Sequence, residues 1–405
     1  MRPVIQSLPG SLIREVANAA LGRSDVFAFW FGESDAPTPE PVRAAAAASL
    51  LAGETFYSHN LGLAELREAI ARYMSKLHAP RDGDRAGAGD GDSVGLSIDI
   101  DRIAVTSSGV NGLMLAMQML AGPGDEVVAV TPVWPNLTAQ PVILGARVTR
   151  LPLRVQDDGA NGFAFALDLD ALRAAVTSQT RVLLVNAPNN PTGWTLTRAE
   201  QTTIVEHCRR TGTWIVADEV YERLYFGPGA AASSFLDVTG ADDRLVVVHS
   251  FSKSFLMTGW RLGWLVLPTG HLDTIGKLTE FNTSCAPVFV QRGALVALAG
   301  ADTSVPPLRE HLRACRDRLV TGLARLPGVQ VAAPLGGMYA FFRVDGRADS
   351  LAFAKHLVAS HGLGLAPGAA FGPEGEGWLR WCFASRDPAR LDAGLARLGQ
   401  ALRAG

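Results

Sequence analysis

Cysteine is scarce in this chain, with four in 405 residues. Cys208, Cys285, Cys315 and Cys382 lie too far apart to suggest a disulfide framework or a zinc site. Charge is also modest: 19% of the residues are charged and the formal net charge is -2, with no basic patch. Such a balance gives no bulk attraction to nucleic acid or to anionic membranes. Apolar runs are all shorter than the ~20 residues a membrane-spanning helix needs. The N-terminal Met-Arg-Pro-Val-Ile-Gln is not followed by an apolar run with a small-residue cleavage site. Together these absences predict a cytoplasmic globular protein with reduced thiols, whose partners are small molecules rather than nucleic acid or membrane.

What is present is a large apolar fraction, 48%, in a chain long enough for one large and one small domain. From Asp101 to about Leu267, β-rich runs at Arg102–Thr106, Glu126–Thr131, Arg147–Leu153, Val182–Asn186, Thr213–Ala217 and Leu245–His249 alternate with helix-like stretches. That alternation predicts a parallel α/β sheet. Leu63, Leu66, Ile70 and Tyr73 share one face of a helix over 61–77, and Asn111–Leu120 reads as a helix directly after a strand. The Gly- and Asp-rich stretch Pro80–Ser97 reads as a surface loop. After Cys285 a helical region broken at Pro306-Pro307 leads to strand-like Gln330–Val344 and Gly362–Phe371, then to a final helix over Pro388–Arg403.

One stretch concentrates chemistry. In Val246-Val-Val-His-Ser250-Phe-Ser-Lys253-Ser-Phe-Leu-Met-Thr-Gly-Trp-Arg261-Leu-Gly263 an apolar strand delivers a lysine into a Ser/Thr/Gly-rich turn, with an arginine eight positions later. A lysine there suits imine chemistry. Asp218 ends another apolar strand and begins Asp-Glu-Val-Tyr221; Asn186-Ala-Pro-Asn-Asn190-Pro-Thr-Gly193 joins a strand to a helix; Thr106-Ser-Ser-Gly109-Val-Asn111 ends a strand and opens a helix. Taken singly, an acid after a strand is an ordinary helix cap, and an Asn/Pro/Gly cluster is an ordinary turn. Taken together, these segments closely resemble the class I/II aminotransferases, pyridoxal 5'-phosphate (PLP) enzymes of fold type I related to aspartate aminotransferase, over the span from about Phe31 to the C-terminus.

That resemblance implies a large domain with a mostly parallel sheet flanked by helices plus a small α+β domain. Residues 1–45 would contribute to the small domain, 46–285 would form the PLP-binding domain and 286–405 the small domain. It implies roles as well. Lys253 would bind the cofactor aldehyde and move the proton between Cα and C4′. Asp218 would hold the pyridine nitrogen protonated, and Tyr221 and Asn190 would donate to the phenolic oxygen. Ser108, Gly109 and Val110 would cradle the phosphate at a helix N-terminus, with Ser250 and Arg261 as further ligands. Trp134 would stack on the pyridine face, and Tyr57 would reach the phosphate of a neighbouring subunit, which makes a homodimer the expected assembly.

For substrate, Arg380 in Trp378-Leu-Arg380-Trp-Cys-Phe would grip the α-carboxylate with its planar fork. A backbone N–H in the turn Phe31-Gly32-Glu-Ser-Asp35 would assist; Ser34 stands where the family has proline. Gly336-Gly-Met-Tyr339 and Pro367-Gly-Ala-Ala-Phe371-Gly resemble structural signatures of the small domain. Val110 replaces the lysine of some aspartate-specific relatives, and Asn282–Pro287 offers no arginine for a second carboxylate. With Trp30, Phe31 and Trp134 as apolar lining, the expected reaction moves the amino group of an apolar or aromatic L-amino acid to a 2-oxo acid such as 2-oxoglutarate or pyruvate, by a ping-pong cycle. A carbon–sulfur β-lyase would share the same residues. A PLP-sensing transcription regulator would need a DNA-binding domain ahead of the Gly32 turn, which about thirty residues cannot supply.

Overall fold

The fold follows from apolar strands that bury both faces. A computed structural model describes residues 1–78, 98–157 and 162–404; the Pro80–Ser97 stretch lies outside the described residues. The large sheet has seven strands: β1 (Ile103–Thr106), β2 (Glu126–Thr131), β3 (Arg147–Pro152), β4 (Thr180–Asn186), β5 (Trp214–Asp218), β6 (Leu245–Ser250) and β7 (Gly263–Val266), in the order β1-β7-β6-β5-β4-β2-β3. Six correspond to the β-rich runs read from sequence. The seventh, β7, was not foreseen, and it runs antiparallel to both of its neighbours.

Alternate residues of each strand enter different cores. Val128, Val130, Leu183, Val185, Ile215 and Val247 face one side, and Val127, Ala129, Val182, Leu184, Val216 and Val248 face the other. Both sets are apolar because helices cover both faces, as a parallel sheet requires. Ala64–His78, Arg198–Thr211 and Val288–Ala299 pack on the first side, Gly109–Leu120 and Leu272–Asn282 on the second. Arg198–Thr211 shows how locally such a helix is specified: Thr197 and Glu200 form a reciprocal capping box, and Gly212 closes the helix in the left-handed region at φ 73°.

The second body is built on a four-stranded antiparallel sheet of β8 (Val329–Val331), β9 (Tyr339–Val344), β10 (Ala366–Pro367) and β11 (Trp378–Cys382), ordered β8-β9-β11-β10. Its core also takes in Ile13, Val16, Phe29 and Trp30 from the N-terminal segment. Phe27–Ala28 pairs in parallel with Leu363–Gly364, which ties that segment down.

One detail differs from the sequence-based expectation. Pro306 and Pro307 do not break the helix, which runs unbroken over Ala301–Ala324; the interruption falls at Gly300. Proline's fixed φ is itself helical. The two N–H bonds it removes would have run to the carbonyls of Asp302 and Thr303, both exposed. The large-sheet core also continues beyond Cys285 through Ala286, Val290, Ala294 and Val305, whereas Leu312, Cys315 and Leu319 of the same long helix enter the other core. One helix thus joins both bodies.

Leu319 is fully buried in the second core. Leu319→Ala is expected to cost about 2–5 kcal/mol through lost burial and a residual cavity, read as a lower urea midpoint at unchanged slope.

Candidate active site

The carboxyl ends of the parallel strands open into a cavity of about 1120 Å³ between the two bodies, where ligands of open α/β sheets bind. Of the residues expected to serve cofactor or substrate, Gly32, Gly109, Val110, Trp134, Asn190, Asp218, Tyr221, Ser250, Lys253, Arg261 and Arg380 all line it. Ser108 lies just beneath the wall and is buried. Tyr57 does not line it: the ring is 89% exposed, next to an equally exposed Phe56.

Register explains the convergence. Gly263 is abreast of Thr106 on one side and Ser250 on the other, so the ends of β1, β7 and β6 coincide. Ser108 then caps the helix Gly109–Leu120, its hydroxyl accepting the Asn111 N–H at 3.0 Å. It holds φ 132°, a conformation an L side chain rarely adopts and one that concentrates at functional sites. Arg261 sits in the left-handed region at φ 55°, and its Nη1 donates to the Thr258 carbonyl at 2.7 Å. Gly263 is what lets the turn lie on the sheet: a Cβ there would sit 2.6 Å from both the Gly109 nitrogen and the His249 oxygen. First-turn N–H groups and Ser250 therefore lie together, with Arg261 on the wall of the same cavity, a fitting receptacle for a phosphate dianion.

On the next strands Asn186 is abreast of Asp218 and donates from Nδ2 to the Asp218 carbonyl at 3.0 Å. The Asn186 Oδ1 accepts the Asn190 N–H at 2.7 Å, so the Asn-Pro-Thr-Gly loop is hung from the strand end beside Asp218. Burial pushes the Asp218 carboxyl up to about 7, against the Val220 amide and Lys253, which pull it down. Burial likewise pushes the Lys253 amine down to about 8. Its Nζ donates to the Gly32 carbonyl at 2.6 Å.

Behind Asp218 the chain is held by a buried polar network absent from any sequence signal. Glu222 accepts from His78 Nε2 at 2.8 Å, while His78 Nδ1 is 3.0 Å from Asp237. Burial opposes charge on His78, but the two carboxylates outweigh it and hold its pKa near 10. Glu219 accepts the Ser234 hydroxyl at 2.5 Å and the Phe235 N–H at 2.9 Å.

The opposite wall comes from the second body. Arg380, on β11, is 2% exposed; Nη1 donates to Asn190 Oδ1 at 2.9 Å, Nη2 donates to the Trp30 carbonyl, and Nε is buried without a partner. Because a guanidinium can only donate, Asn190 must turn Oδ1 toward it. The Asn190 Nδ2 is thereby left to donate elsewhere. Several lining residues were not foreseen as parts of the site, and two elements among them stand out. One is the N-terminal stretch Leu8–Arg14, whose Leu-Pro-Gly-Ser carries no chemical signal. The other is Tyr339, fully buried on β9, whose hydroxyl lies 2.7 Å from that of Tyr221.

A lysine that loses its proton easily, a buried carboxyl group, a helix N-terminus with a serine beside it and a guanidinium on the cavity wall fit PLP and an amino acid together. The comparisons agree. The family model for aminotransferase class I and II matches residues 26–398, and the chain belongs to that family of PLP-dependent transaminases. It is 30% identical over 395 residues to an aspartate aminotransferase of Pyrococcus horikoshii, covering 97% of this chain and 94% of that one. It is 34% identical over 355 residues to an arginine–pyruvate transaminase of Pseudomonas aeruginosa, covering 86% and 83%. Among solved structures it resembles the aspartate aminotransferase of Thermotoga maritima, with a TM-score of 0.83 at 31% identity and full coverage of both chains.

Two predictions follow from this geometry. Gly263→Ala is expected to displace the Ser108–Gly109 turn at a cost of about 1–3 kcal/mol, raising the PLP dissociation constant by about tenfold or more in a fluorescence titration. The neutral amine is the nucleophile, so the rate at which the cofactor-free protein takes up PLP should rise with pH through a midpoint near 8, not 10.5, in stopped-flow absorbance.

Proposed function

We propose that the chain is an aminotransferase that takes the amino group from an apolar or aromatic L-amino acid and passes it to a 2-oxo acid such as 2-oxoglutarate or pyruvate, in a ping-pong cycle. The observation that carries this reading is the meeting of Lys253 and Arg380 on the wall of one cavity, an easily deprotonated amine with a guanidinium. PLP, when bound, supplies an electron sink that lets the Cα proton leave. Lys253 would hold the cofactor aldehyde, and its amine, held near neutrality by burial, would take up and return the substrate Cα proton. Asp218 keeps the proton on the pyridine nitrogen. Tyr221 and the Asn190 Nδ2 donate to the phenolic oxygen, and Asn190 is supported in this by the Arg380 contact that turns its Oδ1 away.

Gly109, Val110, Ser108, Ser250 and Arg261 hold the phosphate, and Trp134 packs on the ring. Arg380 binds the substrate carboxylate, with the Gly32 turn closing beside it. We take the large domain to run to about Val305, with the N-terminal segment through Trp30 belonging to the small domain. Tyr57 serves a partner copy in a homodimer; its exposed ring, with Phe56 and Phe281 also exposed, favours that assignment. Four cysteines without a disulfide among them suit the cytoplasm.

The apolar preference rests on Val110, Trp30, Phe31 and Trp134, which line the cavity. The test is an absorption spectrum of the PLP-loaded protein, recorded as single amino acids are added without any acceptor. Growth of the pyridoxamine band with a favoured apolar or aromatic donor, and its absence in Lys253→Ala, is the expected result. Release of pyruvate and ammonia without that band would instead mark a carbon–sulfur β-lyase.

A further inference from the structure

Tyr339 has no role in the reading above, yet three parts of the site meet on it. Its hydroxyl is 2.7 Å from that of Tyr221, with the rings 80° apart. Its ring face lies 4.4 Å from the Arg380 guanidinium carbon. A Cβ on Gly32 would come within 2.1 Å of its oxygen, so the turn whose carbonyl accepts from Lys253 is laid directly against it. One side chain of the small sheet therefore touches the residue facing the cofactor, the residue facing the substrate and the turn beside the lysine.

Two hydroxyls in contact share one hydrogen bond, and their surroundings decide its direction. If Tyr221 commits its proton to the phenolic oxygen, its own oxygen is left as an acceptor. Among the described residues the Tyr339 hydroxyl has no other hydrogen-bond partner. The guanidinium on its ring face favours negative charge on that oxygen and makes it a better donor. Burial holds both hydroxyls protonated, their pKa values raised, with Asp218, Lys253, Arg380 and Cys382 the ionisable groups that face them.

We propose that Tyr339 is a positioning residue of the cofactor site: it donates its hydroxyl proton to the Tyr221 oxygen and so aims the Tyr221 proton at the phenolic oxygen. The proposal rests on the Tyr221 role given above. Successive hydrogen bonds polarise one another, so this donated bond strengthens the Tyr221 contact, which competes with the lysine-linked nitrogen for the same oxygen.

Tyr339→Phe removes the hydroxyl and keeps the ring under Arg380. The test is a pH titration of the visible band of the PLP-loaded protein in wild type, Tyr339→Phe, Tyr221→Phe and the double variant. The midpoint is expected to rise by roughly 0.2–0.5 pH unit in Tyr339→Phe, the share that cooperative strengthening adds to a hydrogen bond on a charged group. It should rise further in Tyr221→Phe and no further in the double variant, because the two substitutions break one chain of bonds. The KM for the amino acid should stay within about twofold in Tyr339→Phe, since the Arg380 contact persists. A wild-type midpoint in Tyr339→Phe beside a shifted Tyr221→Phe, or additive shifts in the double variant, would overturn the proposal while leaving the Tyr221 role intact. Wild-type midpoints in both single variants would remove the Tyr221 role and this proposal with it.

Discussion

A buried guanidinium has to satisfy several N–H groups away from water, and Arg380 does so by drawing together three separate pieces of chain. It comes from the small sheet, one bond goes to Asn190 in the loop that follows a large-sheet strand, and another goes to Trp30 in the N-terminal segment. Breaking such a set by removing one partner is costly, because the charge stays buried. The closure of one body on the other is therefore coupled to the orientation of the Asn190 amide. Nε is left over, buried without a hydrogen-bond partner among the described residues.

The same desolvation shapes the other ionisable groups. Asp218 and Lys253 are displaced from their ordinary values in opposite directions, each toward its neutral form. Burial in one shared cavity is the leading cause of both shifts. What prevents collapse of so polar a region is the framework behind it: Glu222 between His78 and His249, Glu219 on Ser234, and Asn186 on the Asp218 carbonyl. Of these only Asn186 lines the cavity; the others stand behind it and hold the strand ends.

Much of this was legible in the chain. Val127–Val130 and Val182–Val185 read as strands because short apolar runs between turn residues have little alternative, and Lys253, Asp218, Asn190 and Arg261 stood out once their neighbours were read together. β7 escaped notice because it is four residues long, starts with glycine and is embedded in the lysine motif; its direction depends on partners that no local pattern encodes. Pro306-Pro307 misled because the carbonyls they leave without helical partners, on Asp302 and Thr303, face solvent, which no local pattern encodes. Tyr339 gave no chemical signal, since its partner hydroxyl is 118 residues away and only the packing of two sheets brings them together.

The two ends of the cavity are built from different material. At one end the wall is the first turn of the helix Gly109–Leu120 held against strand ends in fixed register, and at Gly263 the room for it comes from an absent side chain. At the other end the wall is made of side chains from the N-terminal stretch and the small sheet. Point substitution can rewrite the second without disturbing the first. Such a scaffold can change the molecules it accepts through surface-level drift while its cofactor grip stays constant, because one end depends on the path of the chain and the other only on what hangs from it.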